Sequence, residues 1–431
     1  MPARRVIYTA AHAGFSGLGL PLGGGAAVAD RLAVEWGRSR RWPLTIHGAG
    51  PKPASPDTPY ERAVSLGPAS LTDFSEIQYA SFCRQFSRAT TAALGSLEGD
   101  PPLGVGLVND IAEGPNFRVL AEMGVPLVTI FHVDVVDYFC RMYLHGTRPE
   151  WVTRLYEGLC NIGLESLSPR VLRLALGQQR DCVMGSRALV VPSSGMAAVL
   201  RRCYPGLDAR KIRVLPWGCW QDDPDPLAVE ADRAEIEAEY GPFMRPLALT
   251  LSRISPEKGL DSLMSALLWR EAQGHRPLTL LVAGEAAYMR GQAVLDRILG
   301  MAEGLKRTKV HFIGYAGPVR KAALFALADL YVFPSLHESY GLTLCEALAA
   351  GLPAITTDHY SAADLMKGRE EWIVPRGDPR ALGEAISCMI QTGPSSLRRE
   401  PSVIRAFSTA ADELADIIDE VADEPRLRDE S

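Results

Sequence analysis

Short apolar runs that alternate with helical stretches along the whole chain constrain its fold more than any other feature. The first half contains the candidate strands Val6–Ala10, Leu44–His47, Val105–Val108, Leu127–Phe131, Ala188–Val191 and Ile212–Leu215. The second half contains Leu247–Leu251, Leu278–Ala283, Val310–Ile313, Leu330–Phe333, Ala354–Thr356 and Trp372–Val374. Continuous apolar strands separated by helices are typical of parallel sheets with helices on both faces. The sequence therefore predicts an α/β protein with two such sheets in succession.

The length of 431 residues is too great for one ordinary core, so two domains are expected. Glycine, aspartate and proline end the strand pattern in the segment Trp217–Pro226, which predicts a domain boundary there. We expect a first domain over 1–220 and a second over 221–402. A C-terminal helix and tail over 403–431 can cross back to the first domain.

Composition narrows the class of protein. Apolar residues make up 47% of the chain and charged residues 22%, as in globular proteins, and the net charge of −6 argues against binding to duplex nucleic acid. No signal peptide or run of about 18 apolar residues is present, so a cytoplasmic location is expected. The eight cysteines form no C-x-x-C pair, which favours reduced, inert thiols over disulfides or a metal site.

Four unusual polar loops each follow a predicted strand, and ligands of open α/β sheets bind at the carboxyl ends of the strands. The first loop, 11–25, contains Gly17, Gly19 and Gly23 and precedes a helix whose N-terminus favours an anion. Its glycine spacing is one residue longer than that of a dinucleotide fingerprint, so a nicotinamide site is the weaker interpretation. The second loop carries His132, either as a functional group or as a structural hydrogen-bonding residue.

The third loop carries Arg253 and Lys258, two cations beside a predicted helix N-terminus. They are either a clamp for a diphosphate or a pair of solvated surface charges.

The fourth loop carries Glu338, and a helix with one charged residue, Glu346, follows it. Glu346 is expected to be buried, and a buried carboxylate needs hydrogen-bond donors. Its neighbours three and four positions away supply no cation, so ligand hydroxyls are the predicted partners. The alternative is an ordinary solvated glutamate.

Together these residues resemble the retaining, nucleotide-sugar-dependent glycosyltransferases of family four, which have the GT-B fold of two facing Rossmann-like domains. The resemblance is strongest over about 110 residues of the second half. Its motifs are Leu251–Arg253 with Pro256–Gly259, Leu281–Glu285, Val310–Gly314, Ala328–Ser335 and the two-glutamate stretch His337–Pro353. The first half, which would take the acceptor, resembles the family more loosely.

The resemblance implies a role for each matching residue. Arg253 and Lys258 would hold the donor diphosphate, and Glu338 would bind hydroxyls of the transferred sugar. Glu346 would hydrogen-bond the ribose. The remaining expected donor contacts are the backbone amides of Tyr340, Gly341, Leu342 and Thr343 at the phosphates, Gly314 and Tyr315 at the base, His132 at the sugar, and Gly23, Gly24 and Gly25 near the phosphates.

Two segments depart from the family pattern. Asp358–Asp364 replaces a Gly-Gly pair before an acidic residue, and Trp217-Gly218 replaces an Asn-Gly. The D-x-D within Asp222–Asp225 is interpreted as linker chemistry rather than a metal site, so no metal and no cofactor besides the nucleotide sugar are expected. Frequency in the family favours a UDP-sugar over a GDP-sugar.

Several alternatives stay open. The same fold suits a sugar-nucleotide epimerase or a phosphorylase, or a catalytically silent subunit that binds a sugar nucleotide. The acceptor is a small molecule, a saccharide or a lipid. The basic cluster Arg38–Trp42 could touch anionic lipid, but a solvated run of charges is the stronger interpretation.

Overall fold

The computed structural model describes residues 4–15, 23–53, 57–66, 74, 76–96, 101–144, 146–164, 170–220, 222, 224–287, 290–398 and 404–424. The chain divides into two compact units, one comprising Met1–Trp217 with Ser408–Ser431 and the other Gly218–Phe407. The first unit thus ends at the first residue of the segment in which the sequence predicts a boundary.

The first unit contains a seven-stranded parallel sheet in the order β3-β2-β1-β4-β5-β6-β7. Its strands are β1 (Arg5–Thr9), β2 (Leu44–Gly48), β3 (Tyr60–Arg62), β4 (Leu103–Val108), β5 (Leu127–Ile130), β6 (Ala188–Val191) and β7 (Ile212–Val214). Its helices are α1 (Gly24–Ser39), α2 (Glu76–Gly95), α3 (Phe117–Glu122), α4 (Val135–Tyr143), α5 (Pro149–Asn161), α6 (Arg170–Gly185) and α7 (Ser194–Cys203). The sequence analysis did not predict strand β3, because this strand lies at the sheet edge and has no apolar run.

The second unit contains a six-stranded parallel sheet in the order β10-β9-β8-β11-β12-β13. Its strands are β8 (Leu247–Leu251), β9 (Thr279–Ala283), β10 (Lys309–Gly314), β11 (Leu330–Phe333), β12 (Ala354–Thr357) and β13 (Ile373–Val374). Its helices are α8 (Pro226–Tyr240), α9 (Leu260–Ala272), α10 (Gly291–Glu303), α11 (Pro318–Leu327), α12 (Leu342–Ala349), α13 (Ala362–Leu365), α14 (Pro379–Thr392) and α15 (Pro394–Leu397). The predicted class, α/β with two parallel sheets, is confirmed.

Strand β11 shows why continuous apolar runs predict these sheets. Leu330 and Val332 belong to the core on one face of the sheet, whereas Tyr331 and Phe333 belong to the core on the other. Successive side chains of a strand point to opposite faces. A strand with helices on both faces must therefore be apolar at every position.

Each sheet reverses its strand order at one place, between β1 and β4 in the first unit and between β8 and β11 in the second. The chain leaves neighbouring strands in opposite directions at such a point, which opens a crevice at their carboxyl ends. Three of the four unusual polar loops follow β1, β8 and β11, and the fourth, with His132, follows β5.

A last helix, α16 (Phe407–Asp423), packs mainly on the first unit. Its Ala411 carbonyl accepts a hydrogen bond from Trp36 Nε1 at 3.2 Å. Its Asp419 accepts from Trp42 Nε1 at 2.6 Å and from Arg41 Nε at 2.8 Å. Arg41 and Trp42, considered above as lipid contacts, thus hold this helix.

No helix among the described residues combines the length and the apolar character that crossing a bilayer requires.

We expect Leu414→Ala to destabilise the first unit, because Leu414 of α16 is fully buried. A large-to-small change in a core costs about 2–5 kcal/mol. Urea unfolding measures this loss. Asp412→Ala, at an exposed position of the same helix, should stay within about 0.5 kcal/mol of the parent. Equal midpoints for the two variants would show that α16 does not pack as described.

Candidate active site

The loops after β8 and β11 lie side by side, because these two strands are neighbours in the sheet. The first loop runs through a short 3-10 helix, Pro256–Lys258, into α9. The second runs from Pro334 to Gly341, the N-cap of α12. Two loops that are 80 positions apart in sequence thus meet at the point where the strand order reverses.

Glu257 ties these two loops together. Its backbone carbonyl accepts hydrogen bonds from the backbone N–H groups of Leu336, at 2.8 Å, and His337, at 3.2 Å. Its buried carboxylate accepts from Ser255 Oγ at 2.6 Å. Burial raises the pKa of Glu257, but Lys258 and Arg253 outweigh it and lower the pKa below the usual value. The backbone carbonyl of Glu257 therefore fixes the register of the two loops, and its carboxylate lies near two cations of its own loop.

Gly259 allows the loops after β8 and β11 to approach each other closely. It has a φ of 66°, and a Cβ at this position would lie 2.1 Å from the carbonyl oxygen of Pro334. Any other residue would separate the two loops or strain the backbone.

Lys258 and Glu338 form an ion pair, with Nζ 2.6 Å from Oε2. Both side chains are largely buried, at 14% and 17% exposed. Burial raises the pKa of Glu338, but the ammonium of Lys258 overcomes that effect and lowers the pKa to about 2. Glu338 is thus a carboxylate at neutral pH and accepts hydrogen bonds without donating any.

Arg253 lies near the same loops, with Nη2 3.5 Å from Glu257 Oε1. The structure therefore brings three of the predicted site residues, Arg253, Lys258 and Glu338, to one end of the second sheet.

Helix α12 begins beside this group of charges. Its N-cap is Gly341, with a φ of 85°, and the helix runs from Leu342 to Ala349. The first N–H groups of a helix have no partner within it and carry partial positive charge. The predicted phosphate-binding amides of Tyr340–Thr343 are at this helix start.

Glu346 is buried, as the sequence predicts, but its partner is a lysine that the sequence did not indicate. Lys321 of α11 places Nζ 2.5 Å from Glu346 Oε1 and 3.5 Å from Asp222 Oδ2. The sequence predicted ligand hydroxyls as partners of this carboxylate and did not reveal Lys321, because the cation comes from a different helix and local spacing on α12 cannot show it.

His359 is a residue of this region that the sequence did not single out. Burial lowers its pKa to about 4, and its Nε2 lies 2.9 Å from Thr356 Oγ1. It occupies the segment 358–364 that departs from the family pattern, so no motif pointed to it. Asp358, beside it, pairs instead with Arg376 at 2.9 Å.

Gly314 and Tyr315 lie where β10 ends. Gly314 has a φ of 76°, and Tyr315 is 46% exposed. An aromatic ring with this exposure offers a face on which a base can stack.

The first unit holds a separate group of predicted residues at the carboxyl ends of β1, β4 and β5. His132 Nε2 donates to Asn109 Oδ1 at 2.9 Å, and the His132 ring stacks on Trp217. Burial lowers the pKa of His132 to about 4, so the ring is neutral at pH 7. A Cβ on Gly25 would lie 3.3 Å from this ring.

Of the glycine loop, Gly23, Gly24 and Gly25 are described and open α1, whereas Gly17 and Gly19 lie outside the described residues. The structure therefore does not bear on the weaker interpretation of this loop as a nicotinamide site.

The aspartates of the segment Asp222–Asp225, which contains the D-x-D, have structural partners where they are described. Asp225 caps α8 by accepting a hydrogen bond from the N–H of Leu227 at 3.1 Å, and Asp222 pairs with Lys321. Asp223 lies outside the described residues.

Comparison with known proteins gives a family for the second unit. Residues 232–401 match the family model described as glycosyl transferases group 1. Mannosylfructose-phosphate synthase of Agrobacterium fabrum is 31% identical over 158 residues, which are 36% of this chain and 34% of that protein. The GDP-mannose-dependent alpha-(1-6)-phosphatidylinositol monomannoside mannosyltransferase of Mycobacterium tuberculosis is 29% identical over 201 residues, which are 44% of this chain and 46% of that protein. The chain thus spans less than half the length of these relatives.

The likeness in fold extends over nearly the whole chain. Anabaena HepE, solved in complex with UDP and glucose, superposes with a TM-score of 0.65 and 16% identity over 97% of this chain and 100% of that chain. At this identity the likeness concerns the fold alone. Residues 232–401 thus match the glycosyl transferases group 1 family, and the two-sheet fold of the chain is that of GT-B glycosyltransferases.

Proposed function

We propose that the protein transfers a sugar from a nucleoside-diphosphate sugar to an acceptor hydroxyl, with retention of anomeric configuration and without a metal ion. The observation that carries the proposal is the Lys258–Glu338 ion pair, which lies at the strand-order reversal of the second sheet beside the start of α12. It combines a cation for phosphate with a carboxylate for sugar hydroxyls in one small volume.

The leaving group explains the cations. Departure of a nucleoside diphosphate develops negative charge on its β-phosphate, and preorganised positive potential at that place is a large catalytic contribution. Arg253, Lys258 and the first amides of α12 supply such potential. The leaving phosphate oxygen would accept the proton of the acceptor hydroxyl, which is why the proposal needs no separate base.

Glu338 suits the sugar rather than proton transfer. Because its pKa is held at about 2, it stays ionised throughout the neutral range. A carboxylate with that pKa is a poor proton donor and a strong hydrogen-bond acceptor for hydroxyl groups. Lys258 orients it, since the two side chains share one hydrogen bond.

Glu346 would bind the ribose hydroxyls, and Lys321 would hold its carboxylate in place from α11. The contact of Lys321 with Glu346 Oε1 leaves the second carboxylate oxygen as the expected ribose acceptor. The contacts of His132 with the sugar, of Gly23–Gly25 with phosphate, and of Gly314 and Tyr315 with the base stay predictions, as does the cytoplasmic location.

The donor nucleotide has two candidates. A UDP-sugar is the first expectation, and the Anabaena structure was solved with UDP. The Mycobacterium tuberculosis relative is named as GDP-mannose-dependent. The donors to test are therefore UDP- and GDP-linked mannose and other hexoses. Each is tested with saccharide and with lipid acceptors.

Product analysis separates the proposal from its alternatives. A glycosylated acceptor with release of the nucleoside diphosphate supports transfer. A rearranged sugar nucleotide or a sugar phosphate would instead identify an epimerase or a phosphorylase. Tight binding without turnover of any donor would identify a silent binding subunit.

We expect Lys258→Ala and Arg253→Ala each to lower turnover at least about 100-fold, because a charge-stabilising contact of this type contributes roughly 3 kcal/mol to the transition state. The assay measures nucleoside diphosphate released from the donor, to water or to an added acceptor. Arg297→Ala is the matched control, because it breaks an exposed ion pair with Asp261 in the same unit. Near-normal turnover in both site variants would show that Lys258 and Arg253 do not clamp the donor diphosphate.

The ribose contact is tested by comparing a nucleoside diphosphate with its 2′-deoxy analogue in wild type and Glu346→Gln. A hydrogen bond to a charged group contributes about 1.5–3 kcal/mol, so wild type should prefer the ribose form at least about tenfold. This preference should weaken several-fold in Glu346→Gln, because a neutral amide oxygen accepts a weaker hydrogen bond, about 0.5–1.5 kcal/mol. Thermal shift measures it, since a ligand at about 100 times its Kd adds roughly 2.7 kcal/mol.

Glu384→Gln, an exposed carboxylate of α14, should keep the full preference for ribose. An unchanged preference in Glu346→Gln would exclude the ribose role of Glu346.

Treatment with a chelator should leave donor turnover intact, because the described cations and helix amides supply the positive potential. Turnover is followed before and after EDTA, with magnesium added back. Strong inhibition that magnesium reverses would reopen a metal site that includes Asp223 and Asp225.

A further inference from the structure

A hydrogen-bonded group of buried polar side chains surrounds His132 in the first unit. Its centre is Asn109, which directly follows β4 and is fully buried. Tyr8 Oη donates to Asn109 Oδ1 at 2.5 Å, and His132 Nε2 lies 2.9 Å from the same oxygen. Asn109 Nδ2 donates to Asp110 Oδ2 at 3.2 Å and to the backbone carbonyl of Gly25 at 3.4 Å. Asn109 thus connects β1, the start of α1 and the loop after β5.

The partners of the Asn109 side chain fix which way its amide points. A carboxylate and a backbone carbonyl only accept hydrogen bonds, so the amide atom that faces Asp110 and Gly25 must be the nitrogen. Burial raises the pKa of Asp110, but His12, with Nδ1 3.7 Å from Asp110 Oδ2, outweighs burial and lowers the pKa below the usual value. A half-turn of the amide would place its oxygen against two buried acceptors, which is costly. The oxygen of Asn109 must therefore face His132.

This orientation assigns the proton on His132. The amide oxygen of Asn109 has no hydrogen to donate, so the ring nitrogen that faces it, Nε2, must carry one. Burial lowers the pKa of the ring to about 4, so the ring holds a single proton at neutral pH. With that proton on Nε2, the other nitrogen, Nδ1, carries a lone pair and only accepts a hydrogen bond.

The plane of the His132 ring is also held. The ring stacks on Trp217, with the ring centroids 5.7 Å apart and an interplanar angle of 26°. Trp217 is itself buried, at 1% exposed. A Cβ on Gly25 would lie 3.3 Å from the His132 ring, so the start of α1 also approaches it closely. The ring cannot turn without breaking its stacking and its hydrogen bond, so Nδ1 keeps one direction.

We propose that Asn109 is a positioning residue that fixes His132 as the Nε2–H tautomer, so that Nδ1 accepts a hydrogen bond from a hydroxyl of the bound sugar. The part that concerns the sugar rests on the proposed function, in which His132 contacts the transferred sugar. A lone pair at Nδ1 selects a group that donates. A hydroxyl meets this requirement, whereas a fluorine at the same carbon has no proton to donate. Asn109 thereby sets a specificity for a free hydroxyl through His132.

The tautomer is tested by NMR of the histidine ring nitrogens in the full chain at neutral pH. The signals of His132 are assigned by their loss in His132→Gln. We expect Nδ1 to have the chemical shift of an unprotonated nitrogen and Nε2 that of a protonated one. The Nε2 proton should exchange slowly with water, because it is buried against Asn109. A protonated Nδ1, in the other tautomer or in an imidazolium, would overturn the assignment.

Two variants test whether Asn109 fixes the proton. Asn109→Ala removes the acceptor, so the Nδ1 shift should move toward the protonated value and the slow exchange of the Nε2 proton should be lost. Tyr8→Phe is the matched control, because it removes the other donor to Asn109 Oδ1 and leaves the partners of Nδ2 in place. It should keep the wild-type shifts.

Wild-type shifts and slow exchange in a folded Asn109→Ala protein would overturn the positioning role of Asn109. Asn109→Ser, whose polar side chain is one bond shorter, repeats the test if the alanine variant does not fold. The wild-type spectrum decides the tautomer in either case.

The specificity is tested with UDP-glucose and GDP-mannose and with analogues in which fluorine replaces one sugar hydroxyl at a time. At the position that His132 contacts, fluorine should raise the KM of wild type at least about fivefold, because Nδ1 loses its donor. In Asn109→Ala this penalty should shrink, since the ring can then take the other tautomer. Penalties that arise from Glu338 should be equal in the two proteins.

Equal penalties at every position in wild type and Asn109→Ala would exclude the sugar contact and leave both the tautomer and the transferase activity standing. Turnover of neither parent donor by wild type would overturn the proposed function for these donors and with it the sugar contact. The tautomer would then still stand on the NMR result.

Discussion

The ion pair between Lys258 and Glu338 is the interaction on which the candidate site depends. Two mostly buried charges are tolerated only when each satisfies the other, so the pair requires the loops after β8 and β11 to keep one register. Glu257 and Gly259 provide that register, through hydrogen bonds across the loops and through a backbone approach that admits no side chain. The strand order of the sheet makes these two loops neighbours in the first place.

The charges of these two loops match the two parts of the proposed donor. A diphosphate that enters the site would meet Lys258, Arg253 and the start of α12, all positive, whereas a sugar would meet the carboxylate of Glu338. On binding, Lys258 would exchange part of its contact with Glu338 for phosphate. The carboxylate stays ionised because its pKa is about 2. A second pair, Lys321 with Glu346, repeats this design at the proposed ribose site.

Much of this was predictable from sequence, because it depends on local patterns. Apolar runs such as Leu330–Phe333 identify strands buried on both faces, and the positions of Arg253, Lys258 and Glu338 after such strands predict that they gather. The edge strand Tyr60–Arg62 has no such run and was missed. Lys321 was missed because its contact with Glu346 joins two helices that are distant in sequence, and His359 was missed because no motif marks its segment. Only the three-dimensional structure reveals that Lys321 of α11 contacts Glu346 of α12.

The most direct measurement is a crystal structure of the protein soaked with the nucleoside diphosphate that stabilises it most. The account predicts phosphate oxygens within hydrogen-bond distance of Lys258 Nζ, of the Arg253 guanidinium and of the first N–H groups of α12. A diphosphate bound elsewhere on the second unit, with the Lys258–Glu338 pair undisturbed, would contradict it.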